Sequence, residues 1–268
     1  MNEVLLAVRE LLRDGEPAVL ATVVGIASAP STTMDIGAKL VVRPGTATLG
    51  SFGDSNVDDV VVRDALEALD SGSNLVREYD AEPLRGVGVF YEVFTPPPRM
   101  VVIGATDFTA QLVRVAKSVG YRVDVCDPRA AFATSVRFPE ADDVIVDWPD
   151  RYLAKVGEHL GPRDAVCVLS HDHKFDVPAV LAAFATRVGY IGAMGSRRTQ
   201  AQRAQLLRDA DATEDDLARV MGPIGLDIGA RSPEETAIAI LAEIIALRSS
   251  ARVASLRDGT GPIHGARA

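Results

Sequence analysis

Five short segments of the 268-residue chain carry side chains suited to holding an anion, and four of them follow an apolar run. The first is Gly104, Ala105, Thr106, after MVVI. A strand that ends in glycine and turns into a helix offers free backbone amides and the positive end of the helix dipole to a pyrophosphate. The G-x-G-x-x-G pattern is incomplete, because Thr106 and Thr109 stand where the second and third glycines would. Their Cβ atoms are expected to crowd the phosphate and the helix–strand contact. Asp127 closes the next apolar run, at the spacing where an acid accepts hydrogen bonds from a ribose diol, and Arg129 beside it offers a fork of donors to a phosphate. After AVCVL come Ser170, His171 and Asp172, with His171 the candidate proton donor and Asp172 a helix cap. After YIGAM come Gly195, Ser196, Arg197 and Arg198. Two arginines at the start of a helix sit against the dipole, an arrangement that an anion relieves. The last segment, GLDIGAR, contributes Asp227 and Arg231.

Loops converge in this way at the C-terminal edge of a parallel sheet. From Arg99 onward short, nearly all-apolar strands (MVVIG, YRVDVCD, DVIVD, AVCVLS, VGYIGAM) alternate with helices over about 107–119, 150–160, 176–187 and 197–209. This predicts an α/β protein whose C-terminal part, 99–250, is a Rossmann-like, doubly wound parallel sheet. A smaller α+β domain over 1–96 precedes it, with a first helix over 3–14 closed by Gly15, strands in VLATVVGI, AKLVVRPG, TATLGSF and GVGVFYEVF, and a helix over 57–69. Pro96, Pro97 and Pro98 mark the join. Ser232, Pro233 and Glu235 open a last helix to about Arg248, and 251–268 read as a flexible tail.

Composition removes several classes of function. A net charge of −9 with no basic stripe argues against a nucleic-acid partner. Two cysteines cannot ligate a four-cysteine iron–sulfur cluster, and four scattered histidines offer no complete metal shell, so no metal site is expected. No apolar run is long enough for a membrane span, and the N-terminus lacks the features of a signal peptide, so a cytoplasmic protein is expected, with a homodimer the commonest symmetric assembly.

The strings VVIGATDFTAQLVRVAKSVGYRVDVCDPR, VLSHDHKFDVPAVLAAF, YIGAMGSRRTQAQRAQLL and GPIGLDIGARSPEETAIAILAEI together resemble the XdhC/CoxI family, accessory proteins of molybdenum hydroxylases. The stretch from Ala18 to Leu69, with GAKLVV and the Gly50, Ser51 turn, resembles the family's N-terminal domain. The resemblance implies a non-catalytic protein that binds the molybdenum cofactor (molybdopterin), assists its sulfuration and delivers it to an apo-molybdenum hydroxylase. Asp127, Arg129, Ser196, Arg197, Arg198, Asp227 and Arg231 match the family. Asp54, Ser55 and Asn56 do not, because relatives carry GGC there, so the thiolate of that turn is missing. A second reading is an oxidoreductase that binds NAD or NADP, with Asp127 or Arg129 reading the ribose and His171 donating a proton. A third is a paralogue that keeps the scaffold as a nucleotide-responsive module.

Overall fold

The computed structural model describes residues 3–14, 16–27, 34–170, 172–249 and 251–260. The chain divides into two compact units, Met1–Pro97 and Pro98–Ala268.

The first unit runs α1 (Glu3–Asp14), β1 (Ala18–Ile26), β2 (Lys39–Val42), β3 (Leu49–Gly50), α2 (Ser55–Ser71), β4 (Leu75–Glu78), β5 (Val87–Phe94). Its strands pair antiparallel in the order β3-β2-β1-β5-β4. Alternation along the strands decides the layers. Val19, Ala21 and Val23 of β1 and Val87, Val89 and Tyr91 of β5 form one core with Val57, Val61 and Ala65 of α2. Ala18 and Leu20 point the other way and pack with Val4, Val8 and Leu11 of α1. The expected strand in TATLGSF shrinks to Leu49–Gly50, whereas β4 forms in a segment that reads as polar, because β5 supplies its hydrogen-bond partners. Gly15 lies outside the described residues.

The second unit runs β6 (Arg99–Ile103), α3 (Asp107–Ser118), β7 (Arg122–Cys126), β8 (Asp143–Ile145), α4 (Pro149–Val156), β9 (Ala165–Val168), α5 (His173–Phe184), β10 (Tyr190–Ala193), α6 (Arg197–Asp209), α7 (Glu214–Ala218), β11 (Val220–Met221), α8 (Pro233–Arg248). All six strands are parallel, in the order β11-β10-β9-β6-β7-β8. Counted within the unit this is 6-5-4-1-2-3, the strand order of dinucleotide-binding sheets. One face packs Leu112 and Val113 of α3 and Ile240 and Leu241 of α8 against Val102, Val123 and Cys167. The other packs Leu153 of α4, Val180 of α5 and Leu207 of α6 against Val101, Val166 and Ile191.

Two boundaries and two short elements differ from expectation. Helix α5 begins a turn before Asp176, because the Asp172 carboxylate accepts from the Lys174 amide at 2.9 Å and caps it there. Helix α4 stops at Val156 and tightens into a 3₁₀ turn over Gly157–His159. Strand β11 and helix α7 escape a sequence reading because each is too short to show a period. Among the described residues no helix is long and apolar enough to cross a membrane.

Candidate functional site

Strands β6 and β9 are neighbours, yet α3 covers one face of the sheet and α5 the other. The chain therefore diverges there, and the crevice at such a switch point is where open α/β sheets take ligands. Gly104 forms one wall with φ of +104°, and a Cβ on it would lie 2.8 Å from the Ser170 amide nitrogen. Only glycine permits this approach. The two threonines of the incomplete fingerprint bond within the turn. Thr109 is fully buried and its hydroxyl donates to the Gly104 carbonyl, while the Thr106 hydroxyl accepts from the Thr109 amide at 3.3 Å. The first turn of α3 is thus closed by its own side chains in a capping box.

Asp127 sits at the end of β7, 1% exposed, and all its acceptor positions are taken by its own chain. Its Oδ1 accepts from the Arg129 amide and Nε, both at 2.9 Å, and its Oδ2 from the Ala105 amide at 2.8 Å and Arg129 Nη2 at 2.7 Å. Burial raises the carboxyl, but the Arg129 fork and the two amides outweigh it and hold Asp127 below the ordinary carboxylate range. Asp127, the expected ribose acceptor, anchors a guanidinium in this structure. Arg129 lies 4.6 Å above the Phe132 ring and 6.0 Å from that of Phe175, and Arg137 donates to the Ala105 carbonyl at 3.1 Å.

Ser170 turns inward. Its hydroxyl donates to Asp176, whose carboxylate pairs with Arg203 at 2.7 Å, the two charged residues being 0% and 1% exposed. Arg203 also donates to the Met194 carbonyl at 2.9 Å and to Gln200, which donates to the Ala193 carbonyl at 2.8 Å. This network joins the loops after β9 and β10, and no short-range sequence signal announces it, since the partners lie far apart in the chain. Gly195 has φ of +137°, and the Ser196 hydroxyl caps α6 by accepting from the Thr199 amide at 3.2 Å. Arg197 and Arg198 are exposed at the start of α6 and make no ion pair among the described residues. Asp227 and Arg231 are exposed on the loop between β11 and α8, where the Arg231 amide donates to Glu235. His171 lies outside the described residues, so its role as proton donor has no geometry to set beside it. Nδ1 of His173 is shielded from solvent with no hydrogen-bond partner among the described residues.

In the first unit, the turn that leads through Asp54 into α2 is satisfied by carboxylates. Asp54 caps α2, accepting from the Asn56 amide at 2.8 Å, and Asp58 accepts from the Ser51 hydroxyl at 2.7 Å and the Phe52 amide at 2.8 Å. A recess of about 430 Å³ lined by Met34, Ile36, Ser51 and Phe52 lies beside it. The two thiols lie in the second unit. Burial pushes Cys126 up to about 12 and Cys167 higher still, which leaves both protonated. No cluster of metal-ligating side chains occurs among the described residues.

Strand order and the glycine turn at the switch point define a Rossmann unit. Residues 100–244 match the XdhC Rossmann domain model, and residues 11–80 match the model of the XdhC and CoxI family. The chain belongs to the XdhC and CoxI family. A Bacillus subtilis (strain 168) protein, named as a probable xanthine dehydrogenase subunit, is 33% identical over 165 residues, 62% of this chain and 47% of that protein. An Escherichia coli (strain K12) protein named molybdenum cofactor insertion chaperone PaoD is 29% identical over 99 residues, 37% of this chain and 31% of that one. The chain spans less than half the length of the curated relatives it matches. A Bacillus halodurans structure described as a xanthine dehydrogenase shares the fold, with a TM-score of 0.52 at 20% identity over 92% of this chain and 97% of that one.

Proposed function

We propose that this chain is an accessory protein of a molybdenum hydroxylase, holding the molybdenum cofactor as cargo and passing it to the apo-enzyme. One observation carries the reading: both units match models of one family, and a relative of this chain is named as an insertion chaperone for this cofactor. The donor set suits the cargo. Exposed Arg197 and Arg198, without ion pairs among the described residues, stand where α6 presents its positive end, the chemistry that attracts the pterin's phosphate. The carrier reading assigns the chain no sulfur transfer: Asn56 stands where the family resemblance implies a cysteine, and Cys126 and Cys167 are buried. A reducing cytoplasm and a homodimer belong to the same proposal.

A second reading, an oxidoreductase using NAD or NADP, draws its support from the strand order. The commitment of Asp127 to Arg129 argues against recognition of a free ribose diol and leaves the 2′-phosphorylated dinucleotide as its better form.

The test is retention. Cofactor released from a molybdenum hydroxylase is mixed with the purified chain, unbound material is removed by gel filtration, and molybdenum and pterin are quantified before apo-hydroxylase is added and its activation followed. Retention of both, lowered at least tenfold in Arg197→Ala/Arg198→Ala, is expected, since a charge-assisted hydrogen bond contributes about 1.5–3 kcal/mol. Loss of both in the gel-filtered fraction, with NADP binding in a parallel calorimetric titration, overturns the carrier in favour of the second reading.

A further inference from the structure

Beyond the phosphate-binding arginines, the same edge of the second unit carries a row of aromatic and cationic side chains that the carrier reading does not use. We propose that Phe132, Arg129, Phe175, Trp148 and Lys174 form a platform for the planar heteroaromatic ring of a phosphorylated ligand, with Arg129 setting its specificity.

The row is continuous and draws on three loops. Phe132 and Arg129 follow β7, Trp148 follows β8, and Lys174 and Phe175 open α5 after β9. Arg129 Cζ lies 4.6 Å from the Phe132 ring centroid and 6.0 Å from that of Phe175. The Phe175 and Trp148 centroids are 5.5 Å apart with their planes 59° apart, and Lys174 Nζ stands 5.0 Å over Trp148. Cations over rings in this range are attracted by the ring quadrupole. Phe132 is nevertheless 44% exposed, and Phe175 and Trp148 are half-buried. Apolar ring area is thus left facing solvent beside the switch-point loops, where a flat ligand would remove it from water.

Two features narrow the ligand. The Asp127 carboxylate receives four donors from its own chain, so a ribose diol finds no acceptor there. Arg129 spends Nε and Nη2 on that carboxylate, which fixes its plane and leaves Nη1 without a partner among the described residues. Lys174 likewise makes no ion pair among the described residues. A guanidinium plane held by two of its nitrogens, with Nη1 unpartnered among the described residues and flanked by rings and a second cation, suits a fused heteroaromatic ring bearing phosphate. Pterin phosphates and 2′-phosphorylated dinucleotides share that chemistry. The inference rests on the reading of this edge as an anion site.

Trp148 is the chain's only tryptophan, so its emission reports the platform directly. The full chain is titrated by calorimetry with 6-hydroxymethylpterin monophosphate, NADP and NAD, and Trp148 emission is followed in parallel with correction for ligand absorbance. A saturable change in emission with the pterin phosphate, with NADP, or with both is expected, with NAD at least tenfold weaker than the tighter of them. Lys174→Ala and Phe175→Leu should each weaken that ligand about fivefold, with near-ultraviolet circular dichroism unchanged. Calorimetric binding with silent Trp148 emission, or with affinity unmoved in both variants, overturns the platform alone. NAD binding as tightly as the tighter of the two phosphorylated probes overturns the assignment to Arg129. Absence of binding by both phosphorylated probes overturns the platform as well; if the whole cofactor is still retained in the gel-filtration test, the carrier reading survives it.

Discussion

Replacing Arg203 by Met should strip the second unit of much of its stability. Arg203 and Asp176 are 1% and 0% exposed, and the guanidinium holds the Asp176 carboxylate, the Met194 carbonyl and the Gln200 side chain together. Removing one member of a buried pair leaves an uncompensated charge, at a cost of about 3–5 kcal/mol. At roughly 2–4 °C per kcal/mol for a unit of this size, the melting temperature falls by about 6–20 °C. Trp148 lies in the second unit and is the only tryptophan, so urea and thermal transitions followed by its emission report that unit. The paired variant Asp176→Leu/Arg203→Met removes both charges and should recover part of the loss, the remainder reflecting the Ser170 hydroxyl and Met194 carbonyl left without partners, about 1–3 kcal/mol each. A single variant costing less than about 1 kcal/mol would refute the argument, because no buried charge of this kind is so easily abandoned. So would a double variant less stable than the sum of the two single effects.

Three further expectations follow from particular contacts. Gly104→Ala places a Cβ 2.8 Å from the Ser170 amide at φ of +104°, so a loss of at least about 2 kcal/mol in urea denaturation is expected, and full stability would mean that the turn relaxes freely. The Asp127 carboxyl is held below its unfolded value, so its contribution is fully present above that value, about 3.9, and disappears as the pH falls through the folded one. In Arg129→Ala the guanidinium's share of the lowering is lost and the carboxyl moves up, so the acid-unfolding midpoint read from Trp148 should move to higher pH; an unmoved midpoint would assign the depression to the amides alone. Both thiols are buried and Cys126 is pushed up to about 12, so a disulfide thiol reagent should find no reactive group in the native chain and two after denaturation, and rapid native labelling would contradict their burial.

The legible parts of this protein were those with local causes. Helices α6 and α8 announce themselves through Ser196 and the Ser232, Pro233, Glu235 start, because a cap is made by residues within one turn of each other, whereas the Thr106 cap of α3 emerges only from the structure. The buried strands of the second unit were visible as apolar runs for the same reason. Strands β4 and β11 were not, since a four-residue and a two-residue segment become strands only through pairing with β5 and β10.

At the candidate site the division is similar. Gly104, Asp127, Arg129, Ser196, Arg197 and Arg198 could be named from strand-end position and residue type alone. Sequence by itself determined the family, through the resemblance of whole segments, and also the parallel sheet and the loops that end at its C-terminal edge, because apolar period and turn chemistry act over short stretches of chain. Tertiary structure decided that Asp127 serves Arg129, that Ser170 turns toward Asp176 and Arg203, and that Trp148, Phe175 and Lys174 stand in one row. Those pairings depend on where separate loops meet in space, and a buried charge chooses among the partners that packing brings within reach.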